Sequence, residues 1–329
     1  MTKHKNVPVF IPHLGCPNDC VFCNQHKITE SAFDEAAVKD EIDRAVSTLG
    51  DSDAEIAFFG GSFTGIDRGL MIRLLKLGYS YIERGAVSSL RCSTRPDYID
   101  GEITGLLKKY GVKTVELGIQ STDDAVLAAC KRGHTAKQSL DAMKALHENG
   151  FTLIGQMMTG LPSATPASEI KTAEDICVYA DGARIYPTVV FEGTELAAMA
   201  RRGLYAPLAQ PELIRRTADV KEIFIKHGVP TIRIGLQANE GLLEGSEIAC
   251  GGYDEAIGEK CESEIYYRRI KPLLDGRTGA VTVKVPYGDI SKAVGQRKAN
   301  KIRLIQETAV TDIKFIEGDV PPYTAETVG

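Results

Sequence analysis

Val7-Pro8-Val9-Phe10-Ile11-Pro12 and, four residues on, Cys16-Pro17-Asn18-Asp19-Cys20-Val21-Phe22-Cys23 are the two neighbouring stretches on which the reading turns. The first is a short apolar strand. The second gathers three of the chain's eight cysteines into one loop. The other five, Cys92, Cys130, Cys177, Cys250 and Cys261, are scattered. Crowded thiols in a chain that is neither small nor visibly secreted point to a metal or an iron–sulfur cluster, not to disulfides. The spacing is C-x₃-C-x₂-C. Three thiolates can hold three irons of a cubane and leave the fourth open to nitrogen and oxygen ligands, whereas an electron-transfer cluster takes four cysteines. The competing reading is a zinc site completed by His13 or His26. Zinc favours pairs of two-spaced cysteines, which this loop does not supply.

Outward from the loop, apolar strands of five to eight residues alternate with amphipathic helices. Strands are expected at 55–59, 89–93, 114–119, 151–158 and 183–190. Helices are expected near 34–48, 68–84, 98–109, 123–131, 136–149 and 166–179. Serial β–α alternation means parallel βαβ units with helices outside the sheet. A helix near 211–227 and a short strand at 231–234 follow. Residues 240–262 read as loop or short helix. The last ten residues are expected to fray.

The chain has 329 residues, enough for one large domain or two unequal ones. Hydrophobic residues make up 43% and charged residues 25%, which excludes a fibrous or disordered chain. The net charge of −5 excludes a polycation as a whole. Met1 to Asn6 lacks an apolar signal core, and no run approaches the roughly 18–20 apolar residues that a bilayer crossing needs. The expectation is a cytoplasmic protein with no membrane partner.

The cysteine loop just after a first strand, in a serial βα chain, resembles the radical S-adenosylmethionine (SAM) superfamily. More narrowly, the chain is similar to the branch containing the catalytic subunit of Elongator. The stretches that carry the likeness are 11–17, Phe58-Phe59-Gly60-Gly61-Ser62-Phe63-Thr64, Ser93-Thr94-Arg95-Pro96-Asp97, 115–121, Lys131-Arg132-Gly133-His134-Thr135, 158–162 and Ile185-Tyr186-Pro187. They follow one another in family order, one per βα step. The resemblance implies a partial (β/α)₆ TIM-type barrel over 1–240. It implies a 4Fe–4S cluster on Cys16, Cys20 and Cys23. It also implies SAM on the open iron, cleaved by one electron from an external donor to give a 5′-deoxyadenosyl radical.

Site residues follow from the same resemblance. Gly60, Gly61 and Ser62 would receive the methionine amino group. Gln120 would bond a ribose hydroxyl, and Arg132 would pair with the SAM carboxylate. Gln156 would take a further ribose hydroxyl. Each has a plain reading beside it: a strand-ending turn for the glycines, a solvent-facing amide for Gln120, a helix-terminal cation in water for Arg132. Arg95 and Glu116 are candidates for the substrate side or for a salt bridge in the barrel mouth. Tyr186 is a cavity-wall aromatic, and Met157 and Met158 are core. His134 reads as a hydrogen-bonded structural histidine.

After an extension at 241–279, residues 280–329 form a small α/β unit ordered strand, helix, glycine loop, helix, strand. That order resembles a minimal KH core, whose loop clamps a nucleic-acid backbone. The loop here is Gly295-Gln296-Arg297-Lys298, so its second glycine is replaced by cations. Residues 268–303 hold ten cations against Asp275 and Asp289, a local charge of +8. Such a segment is either a phosphate footprint or a solvated face. Gly295, Arg297 and Lys298 are the RNA-binding candidates. No acetyltransferase domain is expected within these 329 residues. The leading reading is a radical SAM enzyme acting on RNA, tRNA first. The alternatives are a radical SAM enzyme for a small molecule or peptide, and a non-catalytic RNA-binding zinc protein.

Overall fold

The computed structural model describes residues 6–11, 15–16, 20–23, 33–49 and 53–328. Six parallel strands follow the expected order: β1 (Asn6–Ile11), β2 (Glu55–Gly60), β3 (Ser89–Thr94), β4 (Val112–Gln120), β5 (Thr152–Thr159) and β6 (Gly182–Pro187). After a two-residue strand β7 (Val190–Phe191), the short strand β8 (Thr231–Ile234) joins the same sheet beside β6. The sheet order is β1-β2-β3-β4-β5-β6-β8, one strand more than the six expected, and its edges do not pair with one another. The result is an open, curled TIM-type partial barrel.

Between the strands run α1 (Glu35–Ser47), α2 (Arg68–Glu83), α3 (Gly101–Lys109), α4 (Asp124–Ala129), α5 (Ala136–Glu148), α6 (Pro166–Cys177), α7 (Glu195–Arg201) and α8 (Gln210–Lys226). Each of α1 to α4 starts on an aspartate whose carboxylate accepts from a first-turn amide. Thr135 and Thr165 cap α5 and α6 in the same way. These caps satisfy amides that a helix start leaves unpaired, each contributing about 1 kcal/mol.

Alternate strand residues face opposite ways. Ile56, Phe58, Leu90, Cys92, Val115, Leu117, Leu153 and Ile185 pack outward against Leu74, Leu107, Leu146 and Ile176 of the helices. The other face is polar. Glu55, Arg91 and Glu116 are buried on it and ion-paired in series, at 2.9 Å and 2.8 Å. Arg184 extends the chain to Glu116 at 2.9 Å, and Gln156 donates to the second Glu116 oxygen at 2.7 Å. Closed barrels fill their interiors with Val, Ile and Leu. Here the concave face is built for charge.

The chain then forms α9 (Glu240–Glu244), β9 (Ile248–Cys250) and α10 (Ile257–Ile270). Next come β10 (Gly279–Pro286), α11 (Ile290–Val294), α12 (Ala299–Glu307), β11 (Val310–Gly318) and β12 (Glu326–Val328). β10 pairs parallel with β11 and antiparallel with β12. A second core joins Tyr266, Ile270 and Leu274 to Val283, Ala293, Leu304 and Ile313. The expected β–α–α–β order is present. The fraying expected of the last ten residues is corrected: Glu326 to Val328 form a strand on the open edge of β10. Arg277 bonds Thr327 at 2.7 Å and Lys284 pairs with Glu326 at 3.1 Å, which hold it there. No helix of the described residues is long and apolar enough to cross a membrane.

Glu116→Ala would strand the buried charges of Arg91 and Arg184. Urea unfolding is expected to show a loss of about 3–5 kcal/mol. Lys137→Ala, which breaks an exposed i,i+4 pair with Asp141, is expected to cost less than about 0.5 kcal/mol.

Candidate active site

Parallel strands deliver their C-terminal ends to one rim, and barrel enzymes keep their chemistry there. The cysteine loop lies on that rim, after β1. Cys16 is partly buried, Cys20 is buried and Cys23 is exposed at the end of a turn closed by its amide on the Cys20 carbonyl, 2.9 Å. The loop is clamped on both sides of Val21. The Val21 amide donates to the Cys130 carbonyl at 3.2 Å, and its carbonyl accepts from Leu196 at 2.7 Å. Val21 and Phe22 pack among Val126, Cys130, Leu161, Val190 and Leu196. Sequence reasoning missed this clamp, because its partners sit far along the chain and bond only through backbone. Among the described residues, no three cysteine, histidine or carboxylate side chains converge to hold a metal ion. Cys16 and Cys20 stand near each other, and Cys23 is exposed. His13, His26 and Pro17 to Asp19 lie outside the described residues.

Two guanidinium groups border the thiols. Arg132 is buried and donates to Cys20 Sγ at 3.2 Å and to the Gly118 carbonyl at 2.5 Å. The reading of Arg132 as a cation in water is therefore corrected: it turns inward from the end of α4. Arg95, also buried, forks onto Asp97 at 2.9 and 3.0 Å and donates to the Arg132 carbonyl. Its remaining Nη1 is buried without a hydrogen-bond partner. Burial pushes the Cys16 thiol up, while a Ser62 backbone bond and the charges of Arg95 and Arg132 pull it back down.

The glycine turn sits against the same loop. Gly60 has φ +114°, and a Cβ there would stand 2.3 Å from the Ile11 carbonyl oxygen. Gly15 has φ +85°, and its Cβ would meet the Ser62 carbonyl at 2.3 Å. Only glycine lets the two strand ends come this close. Gly61 gives its amide to Ile11 at 2.9 Å. Ser62 is buried; its hydroxyl contacts Thr94 Oγ1 at 2.9 Å and accepts from the Arg95 amide at 3.2 Å. Ser62 thus fastens the end of β3 to the turn.

Gln120 ends β4 with φ +64°, at a register shift opposite β5. Its Oε1 is buried and has no hydrogen-bond partner, so it is not a solvent-facing amide. Gln156 spends its amide nitrogen on Glu116. Glu116 and Arg95 both take the salt-bridge alternative of the sequence reading. Tyr186 faces Arg184 on the concave side, and burial raises its hydroxyl pKa. Met157 is core, and Met158 packs in the cluster under the cysteine loop. Cys92 and Cys130 are buried thiols pushed up to about 12 by desolvation. The expected hydrogen bond of His134 is corrected. Neither ring nitrogen meets a partner in bonding geometry, although the Ile119 backbone lies beside the ring.

The C-terminal loop stands apart. Seven of the ten cations of 268–303 are ion-paired, with Asp219, Asp289, Asp312, Glu222, Glu262, Glu264, Glu307 and Glu326. The +8 of the linear count is thus largely cancelled in space. Arg297 and Lys298 are exposed, make no ion pair among the described residues and have φ +54° and +63°. Gly295 has φ +76°, and a Cβ there would press within 2.9 Å of the Asn300 amide.

The rim suits an iron–sulfur cluster with a polar organic ligand. It offers soft sulfur donors, two fixed cations to balance thiolate charge, glycines where a ligand can approach backbone, and buried Gln120 and Arg95 atoms with unused bonding capacity.

Comparisons with known proteins give the chain its family. The family model described as "Radical SAM superfamily" matches residues 10–176, and "Radical_SAM C-terminal domain" matches 180–266. The chain belongs to the radical SAM superfamily. Members of this superfamily are enzymes that use a 4Fe–4S cluster and SAM. A tRNA uridine(34) acetyltransferase of Methanocaldococcus infernus is 33% identical over 142 residues, 42% of this chain and 27% of that protein. Elongator complex protein 3 of Bos taurus is 29% identical over 146 residues, 43% of this chain and 27% of that protein. The match to this radical SAM chain thus spans about a quarter of each of those two relatives. The structure of the archaeal M. infernus Elp3, lacking residues 1–46, superposes with a TM-score of 0.65 at 23% identity. That match covers 82% of this chain and 64% of the other, and shows a shared fold.

His134 supplies a pH test of the rim. Desolvation and the nearby Arg132 charge lower its pKa from 6.5 to about 4, so the folded protein keeps the ring neutral while the unfolded chain charges it below 6.5. The unfolded state binds more protons across that window, so acidification from pH 6.5 to 4 costs stability. The urea midpoint of the wild type is expected to fall more between pH 7 and pH 5 than that of His134→Gln.

Proposed function

We propose that this radical SAM enzyme holds its 4Fe–4S cluster on Cys16, Cys20 and Cys23 and acts on RNA, tRNA in particular. The observation that carries the cluster assignment is the approach of Cys16 and Cys20 to the buried guanidinium groups of Arg95 and Arg132 at the rim. When bound, the cluster and SAM supply one-electron cleavage of a carbon–sulfur bond and hydrogen-atom abstraction from substrate. An external one-electron donor belongs to the same proposal.

The chain's own residues bind, orient and screen. Cys16, Cys20 and Cys23 lose their protons to become ligands, and Arg132 and Arg95 offset the thiolate charge. Gly60 and Gly61 keep the Ile11 backbone close, where the methionine amino group would be received. Arg132 and the unbonded Nη1 of Arg95 would hold the SAM carboxylate. Gln120 Oε1 would accept from a ribose hydroxyl; Gln156, oriented by Glu116, would offer its own carbonyl oxygen to another. The Val21 clamp fixes the loop against α4 and α7.

The RNA assignment rests on two supports. Relatives named tRNA uridine(34) acetyltransferase and Elongator complex protein 3 share the barrel segment. Arg297 and Lys298 leave their charge unspent on the KH-like loop with Gly295. The division into a barrel (1–240), an extension (241–279) and a KH-like unit (280–329) is part of the proposal. Helix α10 in the extension contributes to the core of the last unit.

Anaerobically reconstituted protein is expected to carry four irons and four sulfides per chain. Cys20→Ala is expected to lose both, together with 5′-deoxyadenosine formation from SAM. Zinc in place of iron would overturn the proposal in favour of an RNA-binding zinc protein.

The RNA limb has its own readout. Reversing the charge of Arg297 and Lys298 is expected to weaken tRNA binding and flatten its log–log salt slope by about one to two. SAM cleavage without any tRNA affinity would move the substrate to a small molecule or peptide.

A further inference from the structure

The concave face ends at β8 with a charge that the rest of the face does not balance. Arg184 of β6 and Arg233 of β8 are direct partners in the parallel register. Ala183 and Ile185 pack outward into the core, so Arg184 and its partner Arg233 face the lumen. Like charges at paired positions on adjacent strands repel. Glu116 has no oxygen left to relieve them. Its Oε1 takes both Arg91, at 2.8 Å, and Arg184, at 2.9 Å, and its Oε2 takes Gln156 at 2.7 Å. Arg233 bonds the neutral amide oxygen of Gln237 at 3.3 Å and makes no ion pair among the described residues. Three cations, Arg91, Arg184 and Arg233, thus stand against two carboxylates, Glu55 and Glu116.

Arg184 also lacks an acceptor. Its Nη2 is spent on Glu116, while its Nε is buried with no hydrogen-bond partner. A buried donor left unpaired is costly, so an acceptor brought to it is strongly favoured. Tyr186, two residues nearer the rim on the same face, lies beside Arg184 and adds a hydroxyl donor. A neutral ligand would leave the repulsion standing, and a cation would add to it. An oxyanion answers both, because the planar guanidinium fork matches a carboxylate or phosphate edge.

The opposite side of the lumen differs. Val7, Val9 and Ile11 of β1 pack outward, which turns Pro8 and Phe10 to the concave face. Phe10 stands in register with Phe59 of β2 and is 45% exposed. At its rim end the face is therefore apolar beside the cysteine loop and cationic along β6 and β8.

We propose that Arg184 and Arg233 form an oxyanion site that holds a phosphate or carboxylate group of the substrate. That grip directs the uncharged part of the substrate toward Phe10, Phe59 and the cysteine loop. The inference rests on the reading of the rim as the radical site and holds whether or not the substrate is RNA.

Residue-resolved arginine labelling tests it. The anaerobically reconstituted full chain is treated with phenylglyoxal in chloride, inorganic phosphate or acetate at matched ionic strength, and each arginine is read by peptide mass spectrometry. Arg233 is half-buried and open to the reagent; Arg202, exposed and bonded only to the Ala198 carbonyl, is the control. Saturating phosphate or acetate is expected to slow labelling of Arg233 about fivefold or more and to leave Arg202 unchanged. The anion that protects more strongly names the source, a phosphate ester or a carboxylate. Arg184→Lys keeps a cation for Glu116 but removes Nε and the planar fork. It is expected to abolish the protection of Arg233 with an unchanged circular dichroism spectrum. Equal labelling of Arg233 in all three salts, or protection that survives Arg184→Lys, overturns the inference. Four irons and SAM cleavage without protection would sink the oxyanion site and leave the radical reading intact. Protection in a chain that takes up zinc instead of iron would do the reverse.

Discussion

A guanidinium cannot give up its proton inside a protein, so wherever one is buried the surroundings must supply acceptors. Arg132 imposes that demand at the centre of this molecule. It is met by a thiol of the cysteine loop and by the Gly118 carbonyl of β4, while its own carbonyl accepts from Arg95. One side chain thereby ties together the loop after β1, the end of β3 and the end of β4. The positive φ of Gln120, the register shift beside it and the missing side chain of Gly118 make room for it. A Cβ at Gly118 would stand 3.5 Å from the Arg132 Nη2 and 3.2 Å from the Gln120 amide.

Below that rim the concave face repeats the same physics. Glu55, Arg91, Glu116 and Arg184 alternate in charge across four strands, and Ser89, Thr114 and Gln156 bond the carboxylates. Each buried charge has a partner, so the face stays polar and ordered without being filled by aliphatic side chains. The lumen therefore stiffens the strands whose ends carry the chemistry and leaves space above them for ligands.

Most of the barrel was legible because strands buried on both faces read as short apolar runs, and aspartate or threonine marks the helix starts. The cysteine loop was legible as spacing. Partners that meet only in space were not. The clamp on Val21 uses the backbone of Cys130 and Leu196, which leaves no trace in side-chain pattern. The charge of 268–303 was misread because the count stopped at its boundaries. Glu262, Glu264 and Glu307 lie just outside it and Asp219 and Glu222 come from α8, so the basic segment is mostly an internal ion-pair network. Arg297 and Lys298, which the KH resemblance named as candidates, stay exposed outside that network. The terminal strand escaped notice because three residues carry no periodicity, and only the open edge of β10 makes them a strand.

The central claim is that the rim presents a cluster with one iron open to SAM. Electron paramagnetic resonance of the dithionite-reduced, reconstituted protein tests it most directly. The account predicts a reduced 4Fe–4S signal whose g-values shift when SAM is added, because the added ligand binds the cluster itself. A cluster signal indifferent to SAM, or no cluster signal from protein that has bound zinc, would contradict it.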